Sequence, residues 1–197
     1  MSPTLAAPPP VKKHTPDDLL RLPDRGKRFE LVDGEFKELD VSYLSCYVAG
    51  RVCIRLSVYV EARNLGWVSP EGASYRCFPD DPDRVRRADT AFHALGRLTP
   101  DRATAEGYCT IVPDLVVEVV SQNDLADEVT RKRVEWLAAG ARLVWVVFPL
   151  QQEVNAFRAD GTVALFRRGD TLTGDPVLPD FRVPVADLFL LPAAGPA

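Results

Sequence analysis

Apolar and polar positions follow two periods along this chain, and each period assigns elements. Leu143-Val144-Trp145-Val146-Val147-Phe148 is apolar throughout, the pattern of a central strand covered on both faces. Residues 112–120 are rich in β-branched side chains and predict a second strand. Residues 42–64 are apolar enough for a long, largely buried helix, which Asn64-Leu65-Gly66 ends. A second helix is expected over 125–139, capped by Asn123-Asp124 and stopped by Gly140.

Shorter signals fill the intervals. Thr15-Pro16-Asp17-Asp18 caps a short helix, and residues 29–39 form a hairpin around Val32-Asp33-Gly34-Glu35. Strand material is expected at 67–68, 73–78 and 87–93, with a turn over 79–83 and a polar loop or short helix over 100–107. Residues 153–157 and 163–167, a turn at 169–172 and a last strand predict a terminal β meander before a short closing element at 185–189.

The central order is therefore helix, strand, strand, strand, helix, strand. A strand–helix–strand crossover over 112–148 requires a parallel pair joined right-handedly. The expected class is α+β with an α/β-like core: a mixed sheet, an N-terminal hairpin and the C-terminal meander. At 197 residues the chain fits one domain. We place that domain at 15–190, with a disordered Pro/Ala leader over 1–14 and a disordered tail over 191–197.

Composition narrows the function classes. The hydrophobic fraction of 46% and charged fraction of 26% are those of an ordinary soluble chain. No apolar run reaches membrane-span length, and the first residues lack the pattern of a secretory signal, so the expected location is cytoplasmic. Cys46, Cys53, Cys77 and Cys109 lack metal-ligand spacing, and His14 and His93 supply no nearby partner, which disfavours zinc. The net charge of −4 leans against a surface coated for avid nucleic-acid binding, but leaves room for a small basic groove.

Candidate chemistry begins with Glu118, a carboxylate among the valines of a sheet-centre strand, which is costly to bury without a partner. Period-two geometry puts Asp114 on the same face, but four residues separate the two Cα atoms by roughly 13 Å, too far to share one small ion. Asp114 reads as a turn or cap residue. A neighbouring strand must supply the partner, and Asp89 is the best candidate, its alternative being a solvated strand end. On a helical wheel Lys132 falls about 20° to one side of Leu125, with Trp136 about 20° to the other, in the apolar stripe. It either snorkels to an edge or points at an anion.

Glu30 on the hairpin is either a solvated edge carboxylate or an additional ligand. Arg51 and Arg55 read as a solvated face that is able to touch phosphate. Ser57 and Ser121 lack a histidine partner, and there is no phosphate-cradling glycine motif. Two carboxylates and a lysine are the parts of a metal-dependent phosphodiesterase.

These residues also carry a family resemblance. Phe29-Glu30-Leu31-Val32-Asp33-Gly34-Glu35, Arg87-Ala88-Asp89-Thr90-Ala91-Phe92, Pro113 to Ser121, Lys132 ahead of Trp136-Leu137-Ala138-Ala139-Gly140, and Val144-Trp145-Val146-Val147 resemble the Uma-type restriction endonuclease family. That family is similar to the PD-(D/E)XK nuclease superfamily. The resemblance implies Asp89 and Glu118 as metal carboxylates; Glu30 stays a further catalytic candidate read from the hairpin itself. It implies Lys132 as a lysine moved from strand to helix, since the strand position of the motif is Val120. Ala88 stands where relatives usually carry proline, and Ser45 near a position where a histidine is common. The implied function is Mg²⁺-dependent (or Mn²⁺-dependent) hydrolysis of DNA by a homodimer that does not engage a membrane. The alternative is a catalytically silent module binding nucleic acid or protein on the same scaffold.

Overall fold

The structure, a computed structural model, describes residues 13–40 and 42–192. Its centre is a six-stranded mixed sheet. The strands β3 (Gly66–Pro70), β6 (Thr90–Ala94), β7 (Leu115–Val119), β8 (Leu143–Phe148), β9 (Glu153–Arg158) and β10 (Val163–Phe166) lie in the spatial order β10-β9-β8-β7-β6-β3. Only the β7–β8 pair is parallel, and helix α4 (Ala126–Ala139) makes its crossover. The expected mixed α+β fold is the one observed.

Alternation along β7 and β8 divides the core. Leu115, Val117 and Val119, with Leu143, Trp145 and Val147, pack with Val48, Val52, Leu56 and Val60 of helix α2 (Tyr43–Arg63). The opposite face carries Val116, Val144 and Val146, which pack with Trp136 of α4. Glu118 belongs to this second face by the same alternation. Helix α2 begins at a capping box in which Ser42 and Ser45 each accept from the other's backbone N–H. Asn64, in the left-handed conformation, ends it as the sequence predicts.

Smaller pieces surround the sheet. Helix α1 (Pro16–Arg21) leads into a two-stranded sheet of β1 (Phe29–Val32) and β2 (Glu35–Glu38). The short strands β4 (Ser74–Tyr75) and β5 (Arg86–Arg87) pair, and Leu31 of β1 bridges to Val85 just before β5. Helix α3 (Pro100–Ala103) is one turn. Strands β11 (Thr171–Gly174) and β12 (Leu178–Pro184) form their own hairpin, and helix α5 (Val185–Leu188) follows.

Four details differ from the sequence reading. The meander splits: β9 and β10 extend the central sheet, whereas β11 and β12 pair apart from it. The expected strand over 87–93 is broken by a bend at Asp89 between β5 and β6. The expected strand over 73–78 is only two residues long. Asp124 does not cap α4; it accepts from the Ser121 N–H at 2.7 Å, and Leu125 is the N-cap. Most of the expected leader and tail lies outside the described residues. Of the leader's last residues, His14 stacks on Phe36 and donates its N–H to Gly34. No helix among the described residues is long and apolar enough to cross a membrane.

Candidate active site

Strand pairing brings the two sheet carboxylates together. The antiparallel register sets Thr90 opposite Val117, so Asp89 falls opposite Glu118. Backbone hydrogen bonds fix the approach: the Asp89 N–H donates to Val117 O at 3.1 Å, and the Val119 N–H donates to Asp89 Oδ2 at 2.5 Å. Asp89 Oδ2 is thus committed to the main chain. Glu118 is held from the helix above, because Trp136 Nε1 donates to its Oε1 at 2.7 Å. Its Oε2 faces Lys132 Nζ at 3.6 Å.

Lysine enters from α4 because its spacing there requires it. Glu128, Lys132, Glu135 and Trp136 recur at three- and four-residue intervals on one helical face, and that face meets the sheet. Lys132 Nζ also lies 3.3 Å from Glu30 Oε1. Glu30 is only 1% exposed, and both of its oxygens are occupied: Oε1 also accepts the Arg87 N–H at 2.8 Å, and Oε2 accepts from Arg86 at 2.8 Å. Glu30 is therefore neither the solvated edge carboxylate nor a free ligand; it anchors the lysine.

Arg86, fully buried, is the hub beneath the site. Besides Glu30 it pairs with Glu128 and Glu135, each at 2.7 Å, and Arg84 lies 3.5 Å from Glu135. Helix α4 consequently docks through Trp136, Val129 and Leu137 together with an ionic array; Leu125, expected in its apolar stripe, is exposed. Sequence reasoning missed Arg86 and Glu135. The signal for Arg86 was the run Arg84-Val85-Arg86-Arg87 ahead of Asp89, an arginine cluster entering a buried strand.

The electrostatics follow from this packing. Burial, then the Glu118 carboxylate opposite, push the Asp89 carboxyl up to about 8. Burial raises Glu118 as well, and Glu30 adds to the effect, while Lys132 and the Trp136 N–H oppose it. Burial would also raise Glu30, but Lys132 and Arg86 outweigh it and hold Glu30 below its ordinary value. Burial would lower the Lys132 ammonium, yet Glu118 and Glu30 hold it above the ordinary lysine range. At neutral pH the lysine is charged, and the Asp89–Glu118 pair holds a proton.

Asp89, Glu118 and Lys132 line a cavity of about 360 Å³, with Glu71, Ser45 and Arg131 around them. Asp114 lies at the other end of β7. It is buried rather than a simple turn residue, pairing with Arg97 at 2.8 Å and accepting from the Ala94 N–H. Arg51 and Arg55 are turned away from the cavity: Arg51 donates to the Asp187 carbonyl and Arg55 pairs with the Asp187 carboxylate.

Residues 16–186 match the model of the Uma2 family, described as "Putative restriction endonuclease". Among solved structures, the chain is similar to a putative nuclease belonging to DUF820 from Anabaena variabilis ATCC 29413. The two share 18% sequence identity and a TM-score of 0.74, over 91% of this chain and 98% of that one. At that identity the likeness establishes the fold. No curated protein matches the chain. A family match over nearly the whole described fold, joined to a nuclease-like architecture, makes this chain a member of the Uma2 restriction endonuclease family.

Proposed function

We propose that the protein is a Mg²⁺-dependent endonuclease hydrolysing phosphodiester bonds in DNA. The observation that carries this reading is the meeting of Asp89, Glu118 and Lys132, from two strands and one helix, in one cavity. A silent scaffold has no need to hold two repelling carboxylates under a half-buried lysine.

The donor set fits a hard divalent cation. Asp89 Oδ1 and Glu118 Oε2 are the oxygens left after Val119 and Trp136 have taken the others, and burial, with the Glu118 carboxylate opposite in the case of Asp89, raises the affinity of both groups for a proton. Among the described residues no three-membered His, Cys, Asp or Glu cluster has metal-holding geometry. Two carboxylates with the remaining positions left to water and phosphate is the arrangement Mg²⁺ favours, and Mn²⁺ suits the same oxygens. When bound, the ion polarises the phosphoryl oxygen and makes an attacking water more acidic.

The chain's own residues supply the rest. Val119 and Trp136 orient the two carboxylates, and Lys132 places positive charge where negative charge grows on the phosphoryl group. Glu118 and Glu30 keep that lysine charged, and Arg86 holds Glu30 in place beside it. One such cavity acts on one strand, so a cytoplasmic homodimer is the assembly that suits cleavage of a duplex. Purified protein incubated with plasmid DNA should nick or linearise it with Mg²⁺ or Mn²⁺, and not with chelator. Cleavage that survives both chelation and Asp89→Ala overturns the reading.

A further inference from the structure

A second cavity, of about 380 Å³, opens where β7 and β8 end beneath the first turns of α4. It adjoins the first: Val120, Ser121, Asp124 and Val129 line both. The β7–β8 register sets Glu118 beside Val146, so Phe148, two residues further on the same face, stands one pleat beyond the carboxylate.

The chemistry of this second space is unlike that of its neighbour. The first holds Asp89, Glu118 and Lys132; the second is lined by the Phe148 ring, the side chains of Gln122, Gln151 and Thr130, and the exposed Leu150. Its one charged lining residue, Asp124, already accepts the Ser121 N–H. The Ser121 hydroxyl is enclosed there without a hydrogen-bond partner. Such a lining carries no cation for a phosphate. It offers a stacking face, apolar walls and amide and hydroxyl groups able to donate or accept, which is what a flat neutral ring with polar edges requires.

We infer that the second cavity receives a nucleobase of the strand whose phosphate lies against Asp89, Glu118 and Lys132. This rests on the phosphodiesterase reading above and adds a substrate requirement to it. A base seated beneath the start of α4 is out of its stack, so the strand engaged is single-stranded or locally opened. Phe148 supplies the stacking face, and Gln122 and Gln151 meet the base edge. The helical origin of the lysine makes room for this: the strand position of the motif is Val120, whose apolar side chain forms part of the wall between the two cavities.

The test is equilibrium binding of the intact protein, with Ca²⁺ in place of Mg²⁺ to hold turnover off. The probes are an oligothymidylate about a dozen residues long and an abasic oligomer with the same number of phosphates. Wild type should bind the base-bearing strand about tenfold more tightly, the worth of one stacked base. Phe148→Leu keeps the apolar volume and removes the ring; Gln151→Ala changes an exposed rim residue and leaves folding alone. Each should erode the preference for bases while leaving abasic affinity unchanged. Equal binding of the two oligomers by wild type overturns the inference, as does a full preference retained by both variants, and either result leaves the cleavage reading standing. Failure to bind either single strand also overturns the inference, while the phosphodiesterase reading is decided by the plasmid assay.

Discussion

At the scale of single residues, Lys132 is the sharpest test. Lys132→Met keeps the length of the stem and removes the charge that faces Glu30 and Glu118. Metal-dependent cleavage should fall by about 10²-fold or more, the usual worth of one charge-stabilising group. Cleavage at the wild-type rate would remove the lysine from the mechanism. Asp89 gives a second test through pH. Its folded pKa of about 8 lies above the unfolded value, so the native state holds the extra proton between pH 4 and about 8. Its contribution to stability is present in full at pH 4 and is lost as pH rises through about 8. Glu30, shifted downward, works in the other sense, but only below its unfolded value of 4.5. His93, which burial holds below its ordinary 6.5, also works in the other sense up to that value, so from pH 6.5 to 8.5 the metal-free protein should lose melting temperature. The rise in melting temperature on adding Mg²⁺ should grow over the same interval, as protons cease to compete. Equal Mg²⁺ shifts in wild type, Asp89→Ala and Glu118→Ala would show the ion binding elsewhere.

At the scale of elements, helix α4 is held by polar contacts whose loss is measurable. Trp136→Phe keeps the ring packing and deletes the donor to Glu118, which should cost about 1.5–3 kcal/mol at neutral pH in denaturant unfolding. Arg86→Met leaves Glu30 and Glu135 buried with reduced compensation and should cost about 3–5 kcal/mol. A change below about 1 kcal/mol for Arg86→Met would show that the array relaxes around the loss. The same helix shows what the sequence made legible. Period two placed Glu118 on a sheet face, and period 3.6 turned Lys132 toward the sheet, because both depend on backbone geometry alone. The capping role given to Asp124 failed because its carboxylate is satisfied by the Ser121 N–H within the preceding turn. Glu135 escaped notice because a carboxylate on a helix reads as solvated, unless a buried arginine from a distant strand arrives to meet it. Arg86 supplies that partner across 49 residues of sequence. Pairing of that kind is a property of tertiary packing, which periodicity along one element does not encode.

At the scale of the whole molecule, the parts of the site belong to pieces of unequal attachment. Glu118 is carried by β7, which has hydrogen-bonded neighbours on both sides, in the middle of the sheet. Glu30 arrives on β1, whose own sheet is two-stranded and touches the body through the Leu31–Val85 bridge, the contacts of Arg86 and Arg87, and the pairs Glu30–Lys132 and Asp33–Arg131 with α4. Small peripheral units of this kind open at lower free energy than central strands. Low denaturant should therefore abolish metal-dependent cleavage before it alters the far-ultraviolet circular dichroism of the central sheet; coincident loss of both would show the hairpin to be as firmly held as the core. The Leu31–Val85 bridge thereby acquires a meaning apart from stability. On the cleavage reading proposed above, a chain whose central sheet has formed but whose N-terminal piece has yet to dock would lack Glu30 beside Lys132, and cleavage would wait on the docking of that last piece.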